Sequence, residues 1–323
     1  MGSSDNNSAA NTAKPVIAIV GPTASGKTAL SLKLAEKLPV EIVACDSRTI
    51  YRRMDIGTAK PSADEQAQVR HHLLDVADVD ETYTVANYKE AAGRAIDDIH
   101  GRGSIPIVCG GTGLYARALL EGLSIPEVPP NQKLRDELNQ FAEKNGNEEL
   151  FARLTALDPV TAERLNTNDR YRIIRALEVS IILGKPFSQA ATIKPPPYRT
   201  IWIALGVNNR QYIKDLIESR LEEQFRAGLI DEVKALLTDY GPTRTLLNAV
   251  PYKEVIAYLD GNCSLEDARQ EALKHNYQLA RRQIMWFRAN ENANWFLVDI
   301  EDRAKTFAQV SDLIDRKLVD RTL

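Results

Sequence analysis

Cysteine is scarce in this chain of 323 residues: Cys45, Cys109 and Cys263 lie far apart and form no C-x-x-C pair. That spacing argues against a zinc site and against a disulfide framework. Free thiols, with no export signal, point to the cytosol. No apolar run approaches the ~20 residues of a membrane-spanning helix. Residues Met1 to Ala13 are small and polar without an apolar core. They read as a disordered tail rather than a signal or transit peptide. Neither sign of charge is in excess, the formal net charge being −3. Bulk charge therefore gives no support for a nucleic-acid partner, and any such surface must be a local basic patch.

What is present centres on Gly21-Pro22-Thr23-Ala24-Ser25-Gly26-Lys27-Thr28. It follows the β-branched run Val16 to Val20, read as a buried strand, and precedes leucines at helical spacing that stop at Pro39. Strand, Gly-rich loop and helix turn G-x-x-x-x-G-K-T, a motif of ATP-binding type, into a phosphate cradle. Backbone N–H groups and the helix N-terminus face the anion. Lys27 adds a full charge, and the Thr28 hydroxyl is offered to Mg²⁺. A second strand, Val40 to Cys45, delivers Asp46-Ser47-Arg48-Thr49 to a loop. Ligands bind at the carboxyl edge of a parallel sheet, so Asp46 is expected near Lys27; capping of the next helix is the alternative.

Further along, Asp55 to Pro61 reads as a loop. His71 and His72 are adjacent and so point apart, which favours packing or hydrogen bonding over a shared metal. Val85 to Gly101 reads as a helix. Strand Ile105 to Cys109 runs into a second Gly-rich turn, Gly110 to Tyr115, and a helix through Leu120. Pro-rich segments at 124–130 and 194–198 then bracket only helical patterns, at Gln132 to Asn145, Glu148 to Leu157, Pro159 to Leu165 and Arg170 to Leu183. The reading is an α/β core at 14–123 and 199–323, interrupted by an all-helical insertion at 124–198. Arg172 and Arg175 share a face of the last insertion helix, either as a solvated surface or as phosphate contacts.

Ile201 to Leu205 returns as a strand. Helices follow at Asn209 to Ala227 and Leu229 to Tyr240, and Leu246 to Glu254 is a loop entering another helix. A long helix starts at Ser264, with Asp267 placed for a capping box. On it Lys274, Arg281 and Arg288 recur every seven residues, near Arg282, Trp286 and Phe287. Such a stripe suits phosphate contacts and base stacking, or is simply a solvated face. Trp295 to Asp299 is a closing strand before a C-terminal helix.

In this order the motifs resemble the tRNA dimethylallyltransferases (tRNA isopentenyltransferases). Carrying segments run from Gly21 to Thr28, through Asp46-Ser47-Arg48, Met54 to Pro61, His71 to Asp75, Gly110 to Tyr115 and Asn168-Asp169 with Arg172, Arg175 and Glu178. They continue through Arg220 with Gly228-Leu229, and Tyr252-Lys253-Glu254, to Ala280-Arg281-Arg282-Gln283 with Trp286-Phe287-Arg288. The resemblance implies a P-loop NTPase-like parallel sheet and transfer of dimethylallyl from dimethylallyl diphosphate to N6 of adenosine 37 in tRNA. It implies Asp46 as base, and Lys27, Thr23, Arg220 and Mg²⁺ on Thr28 as stabilisers of the leaving diphosphate. Asp46, Ser47, Arg48, Thr49, Thr112, Arg172, Arg175, Asn248, Tyr252, Lys253, Arg281, Arg282, Gln283, Trp286 and Arg288 would face the tRNA, bound by a monomer. Departures from the family's frequent residues include Thr49 for Gln, Pro251 for Gly, Met285 for Thr and Gln224 for Met. The competing readings are a kinase or free-nucleotide isopentenyltransferase on the same fold, and a tRNA-binding protein without chemistry.

Overall fold

The computed structural model describes residues 14–124, 126–207, 209–298 and 302–319. The expected tail at 1–13 and the end of the closing strand at Asp299 lie outside them. The strands in chain order are β1 (Pro15–Val20), β2 (Val40–Ala44), β3 (His71–His72), β4 (Ile105–Gly110), β5 (Leu123–Ser124), β6 (Thr192–Ile193), β7 (Arg199–Gly206) and β8 (Asn294–Leu297). Six of them form one sheet in the order β3-β2-β4-β1-β7-β8, every neighbour parallel. Such a sheet is buried on both faces, which is why β1 reads as a continuous apolar run and β2 as one interrupted only by Glu41, itself paired with Arg102. On β1, Val16, Ala18 and Val20 pack among Tyr88, Ile96 and Trp202. Ile17 and Ile19 face the other way, onto Leu30, Leu34, Ile203 and Ile314. A third cluster gathers Ile50, Met54, Leu229, Val233, Tyr252 and Ile256.

The chain divides into two units, one of residues up to 120 and from 197 onward, the other of residues 121–196. The second unit has its own core of Leu138, Leu150, Leu154, Ile173 and Leu177. Its helices Gln132–Asn145, Asn147–Leu157 and Arg170–Leu183 match the helical patterns, and Pro159–Ala162 is shorter than its pattern. The all-helical expectation needs correcting at the ends. Leu123–Ser124 and Thr192–Ile193 pair antiparallel as a two-stranded ribbon. Pro126 and Pro195 prevent a helix there, and β-branched Thr192 and Ile193 favour extended backbone.

Two boundaries elsewhere also differ. The first helix, Lys27–Ala35, begins inside the Gly-rich motif itself. The expected loop before Tyr252 contains a helical turn, Arg244–Leu247, capped by the Thr243 hydroxyl, which accepts from Leu246 N. The Ser264–Asp267 capping box is present and opens helix Leu265–Arg288.

Candidate active site

At the carboxyl ends of β1, β2 and β4 the chain leaves the sheet through three loops: Gly21 to Gly26, Cys45 to Thr49, and Gly111 to Thr112. Gly21 has φ +145°, and a Cβ there would strike the Leu205 carbonyl oxygen on β7. A side chain is therefore excluded at the point where the loop turns over the sheet. The helix that follows points its N-terminal N–H groups into the same space.

A cavity of about 110 Å³ opens there. It is several times the ~10–15 Å³ that one water needs on the same measure, large enough for a multi-atom anion. Thr23, Lys27, Thr28, Asp46, Thr49 and Arg220 all line it. The expectation that Asp46 and Lys27 meet at the strand ends corresponds to this shared lining.

The Lys27 ammonium donates to the Pro22 carbonyl oxygen at 2.6 Å. Burial pushes its pKa down to about 8, and the nearby Arg220 pushes in the same direction against Cys109 and Asp46. Arg220 comes from helix Arg210–Arg226. Its guanidinium donates from Nη1 to Thr23 Oγ1 at 2.7 Å and from Nη2 to the Thr58 carbonyl oxygen at 3.0 Å. Burial lowers its pKa too. Glu223 lies one turn on, but no described ion pair joins it to Arg220, whose guanidinium turns to Thr23 and Thr58 instead.

Asp46 Oδ1 accepts from Arg48 N at 2.8 Å, closing a local turn rather than capping a helix. Thr112 Oγ1 accepts from Ser47 N at 3.0 Å and ties the two loops together. Arg48 reaches from Nη2 to the Asn248 carbonyl oxygen at 2.8 Å, at the end of helix Arg244–Leu247. Thr28 lines the same cavity as Asp46. Among the described residues no group of three or more His, Cys, Asp or Glu could hold a metal. His71 and His72 bond instead to the Val69 carbonyl oxygen and to Glu41.

The residues expected to face tRNA separate into groups. Arg281, Arg282, Trp286 and Arg288 are exposed on helix Leu265–Arg288, with Met285 beside them. Trp286 lies so close over Gly113 that a Cβ there would strike its indole. Lys253 is partly exposed and pairs with Glu254 at 3.4 Å. Tyr252 is a correction: it is fully buried and donates its hydroxyl to Glu232 Oε1 at 2.6 Å. A tyrosine beside a lysine reads as a surface contact, but the helix places it among the apolar residues of the third cluster. Gln283 lines the cavity rather than the exposed helix face. It is buried at 9% exposure, and its Oε1 accepts from Thr23 N at 2.8 Å, which ties it to the phosphate loop. Thr49 is buried at 8% exposure and lines the cavity. In the second unit Arg172 is exposed, while Arg175 is held by Glu178 and the Val128 carbonyl oxygen.

Sequence reasoning missed Thr58, Ala59 and Pro61 as a cavity wall and Glu232 behind it, while Gln224, noted as a departure from the family, bonds the carbonyl side of the same loop. The Asp55 to Pro61 stretch was legible as a loop with turn residues and as a family segment, but not as a cavity wall. Nothing local marked its partners some 170 residues away.

Comparison with known proteins accounts for nearly the whole chain. A family model described as IPP transferase matches residues 49–290. A tRNA dimethylallyltransferase of Roseiflexus castenholzii is 42% identical over 309 residues, covering 95% of this chain and 99% of the relative. One of Thermomicrobium roseum is 39% identical over 309 residues, covering 95% and 93%. Among solved structures, the full-length tRNA isopentenylpyrophosphate transferase from Bacillus halodurans aligns with a TM-score of 0.71 at 36% identity, over 96% of this chain and 98% of that one. A phosphate loop, a carboxylate at the next strand end and an arginine reaching across to the loop thus belong to a sequence shared over almost its full length, and the chain belongs to the IPP transferase family.

Proposed function

We propose that this protein is a tRNA dimethylallyltransferase: it moves the dimethylallyl group from dimethylallyl diphosphate to N6 of adenosine 37 in tRNA, releasing diphosphate. The observation that carries the reading is the convergence of Lys27, Arg220 and Asp46 on one cavity. Two cations and a helix N-terminus suit a diphosphate. The lone carboxylate among them suits a base.

An exocyclic adenine amine is a poor nucleophile because its lone pair is delocalised. Asp46 accepts its proton as the new C–N bond forms and the C–O bond to diphosphate breaks. The pair of electrons leaves with the diphosphate, whose charge grows in the transition state. Lys27, the loop N–H groups, Thr23 and Arg220 stabilise that charge in a site where burial strengthens each contact. Arg220 is already directed by its bond to Thr23.

Mg²⁺ fits this donor set as a hard ion that keeps several waters and takes few protein oxygens. Thr28, at the start of the helix that follows the Gly-rich loop, lines the cavity and is the residue that would hold the ion. When bound, the ion would supply further neutralisation of the diphosphate oxygens.

The target adenine must leave its stack to reach the cavity. The exposed Arg281, Arg282, Trp286 and Arg288 face of one unit and Arg172 of the other supply the cationic and stacking groups for the tRNA. The deciding experiment incubates the protein with radiolabelled dimethylallyl diphosphate and either tRNA or AMP. Label on tRNA is expected. Label on AMP alone, or transfer of a γ-phosphate from ATP to any acceptor, would overturn the reading.

A further inference from the structure

Behind one wall of the cavity stands a carboxylate that no motif singles out. Glu232 lies in the first turn of helix Leu229–Tyr240. Its Oε2 accepts from Asp55 N at 3.1 Å and Ile56 N at 2.7 Å, and its Oε1 accepts from Gly57 N at 3.1 Å and from the Tyr252 hydroxyl at 2.6 Å. One side chain thus gathers three consecutive backbone donors and a phenol. An ionised carboxylate offers about four lone-pair sites, so its capacity is used in full. Burial and the charge of Glu232 raise the phenol's pKa well above its usual value, so Tyr252 remains a donor.

The carbonyl side of the same loop is held from helix Arg210–Arg226. Gln224 Nε2 donates to the Ile56 carbonyl oxygen at 2.7 Å and to that of Gly57 at 2.9 Å, and Arg220 holds the carbonyl oxygen of Thr58. At its base, Lys60 N donates to the Asp55 carbonyl oxygen at 3.0 Å, and the Lys60 ammonium bonds Asp55 and Asp75. Gly57 presses on the Tyr252 ring, where a Cβ would collide. Ala59 sits at φ +48°, a left-handed conformation that alanine keeps only where its surroundings enforce it. Thr58 and Ala59 line the cavity.

We infer that Glu232 is a positioning residue for the diphosphate: by fixing the N–H edge of the 55–57 loop it sets the Thr58 carbonyl against which Arg220 is aimed, with Gln224 fixing the opposite edge. Glu232 does not itself line the cavity and acts through Arg220. A guanidinium with one end anchored on a rigid carbonyl and the other on Thr23 keeps its orientation as the leaving group departs, and small losses of alignment at such a group are costly. This inference rests on the diphosphate reading of the cavity.

The test uses the full chain and pyrophosphate as probe, measured by calorimetry, with steady-state kinetics for donor and tRNA separately. Glu232→Gln keeps the volume but places an amide against donors. Pyrophosphate affinity and kcat/KM for the donor should fall by about tenfold, the scale of one charge-assisted bond, with KM for tRNA unchanged. Combined with Arg220→Lys, the loss should be smaller than the product of the two single losses, because both act through one guanidinium. Gln224→Met, which keeps length and packing, should give a weaker loss of the same kind and serves if Glu232→Gln fails to fold. Wild-type affinity for pyrophosphate in both variants, or losses in the double variant that simply multiply, would overturn the inference alone. A wild-type protein that binds no pyrophosphate would overturn the diphosphate reading and the inference with it.

Discussion

Two sets of buried charge, one in each unit, are arranged in opposite ways. In the 121–196 unit, Glu178 is completely buried yet saturated: it accepts from Asn131 N at 2.7 Å, from Arg135 at 2.8 Å through both oxygens, and from Arg175 at 2.6 Å. Burial would raise its pKa, but the bonds from Arg135, Arg175 and Asn131 outweigh it and hold the carboxyl below the usual range. In the cavity of the other unit, Lys27 and Arg220 share the lining with a single carboxylate, Asp46, and burial lowers the pKa of both cations. A closed set of charges fixes a fold. An open set with excess positive charge is held in place by the fold and is stabilised by an anion.

That contrast can be broken from either side. The largest effect should come from Asp46→Ala, which removes the cavity's only carboxylate: turnover should drop ~10²–10⁴-fold while pyrophosphate binding is kept, read by single-turnover kinetics and calorimetry. On the closed side, Glu178→Ala strands two arginines and should cost ~3–5 kcal/mol in denaturant unfolding, with pyrophosphate affinity spared. A variant that lost affinity in step with stability would erase the distinction between the two kinds of charge.

Lys27→Met sharpens the same point with a smaller effect. Losing a charge-assisted bond should weaken pyrophosphate binding ~10–100-fold, while unfolding stability stays level or rises. The pH dependence has a definite sign. Lys27 has a folded pKa of about 8 against an ordinary 10.5, so between those values the unfolded chain binds more protons and stability rises with pH. Over the same window pyrophosphate affinity falls as the ammonium loses its charge. Both trends should vanish in Lys27→Met. The smallest effect concerns the exposed helix face: replacing Arg281, Arg282 and Arg288 should lower the log–log salt slope of tRNA binding by roughly 0.7–0.9 for each phosphate that is no longer neutralised. An unchanged slope would make them merely solvated.

Much of this was legible in the sequence because it is written locally. The Gly21 to Thr28 loop lies between a β-branched run and a leucine-periodic one, and the Ser264–Asp267 box spells out a helix start within four residues. The Pro-rich brackets marked the second unit within a few residues of its ends. What stayed hidden depends on distant pairing. Gln283 looks like its basic neighbours until the helix turns it toward Thr23, 260 residues away. Tyr252 sits in a family motif but its partner Glu232 in none, and the role of both comes from the loop they bracket. The ribbon of β5 and β6 escaped because two-residue strands have no periodicity to read.

The order in which the chain is made adds a consequence to the geometry of Gly21. Its turn is shaped against the Leu205 carbonyl of β7, and β1 lies between β4 and β7 in the sheet. A nascent chain that has emerged only as far as Leu120 holds every residue of the phosphate loop, but neither the strand that walls it nor Arg220. Parallel pairing across such separations forms late. The ribosome thus releases the motif long before it releases the site, and anion affinity should appear only after the chain has passed through the inserted unit and returned to the sheet.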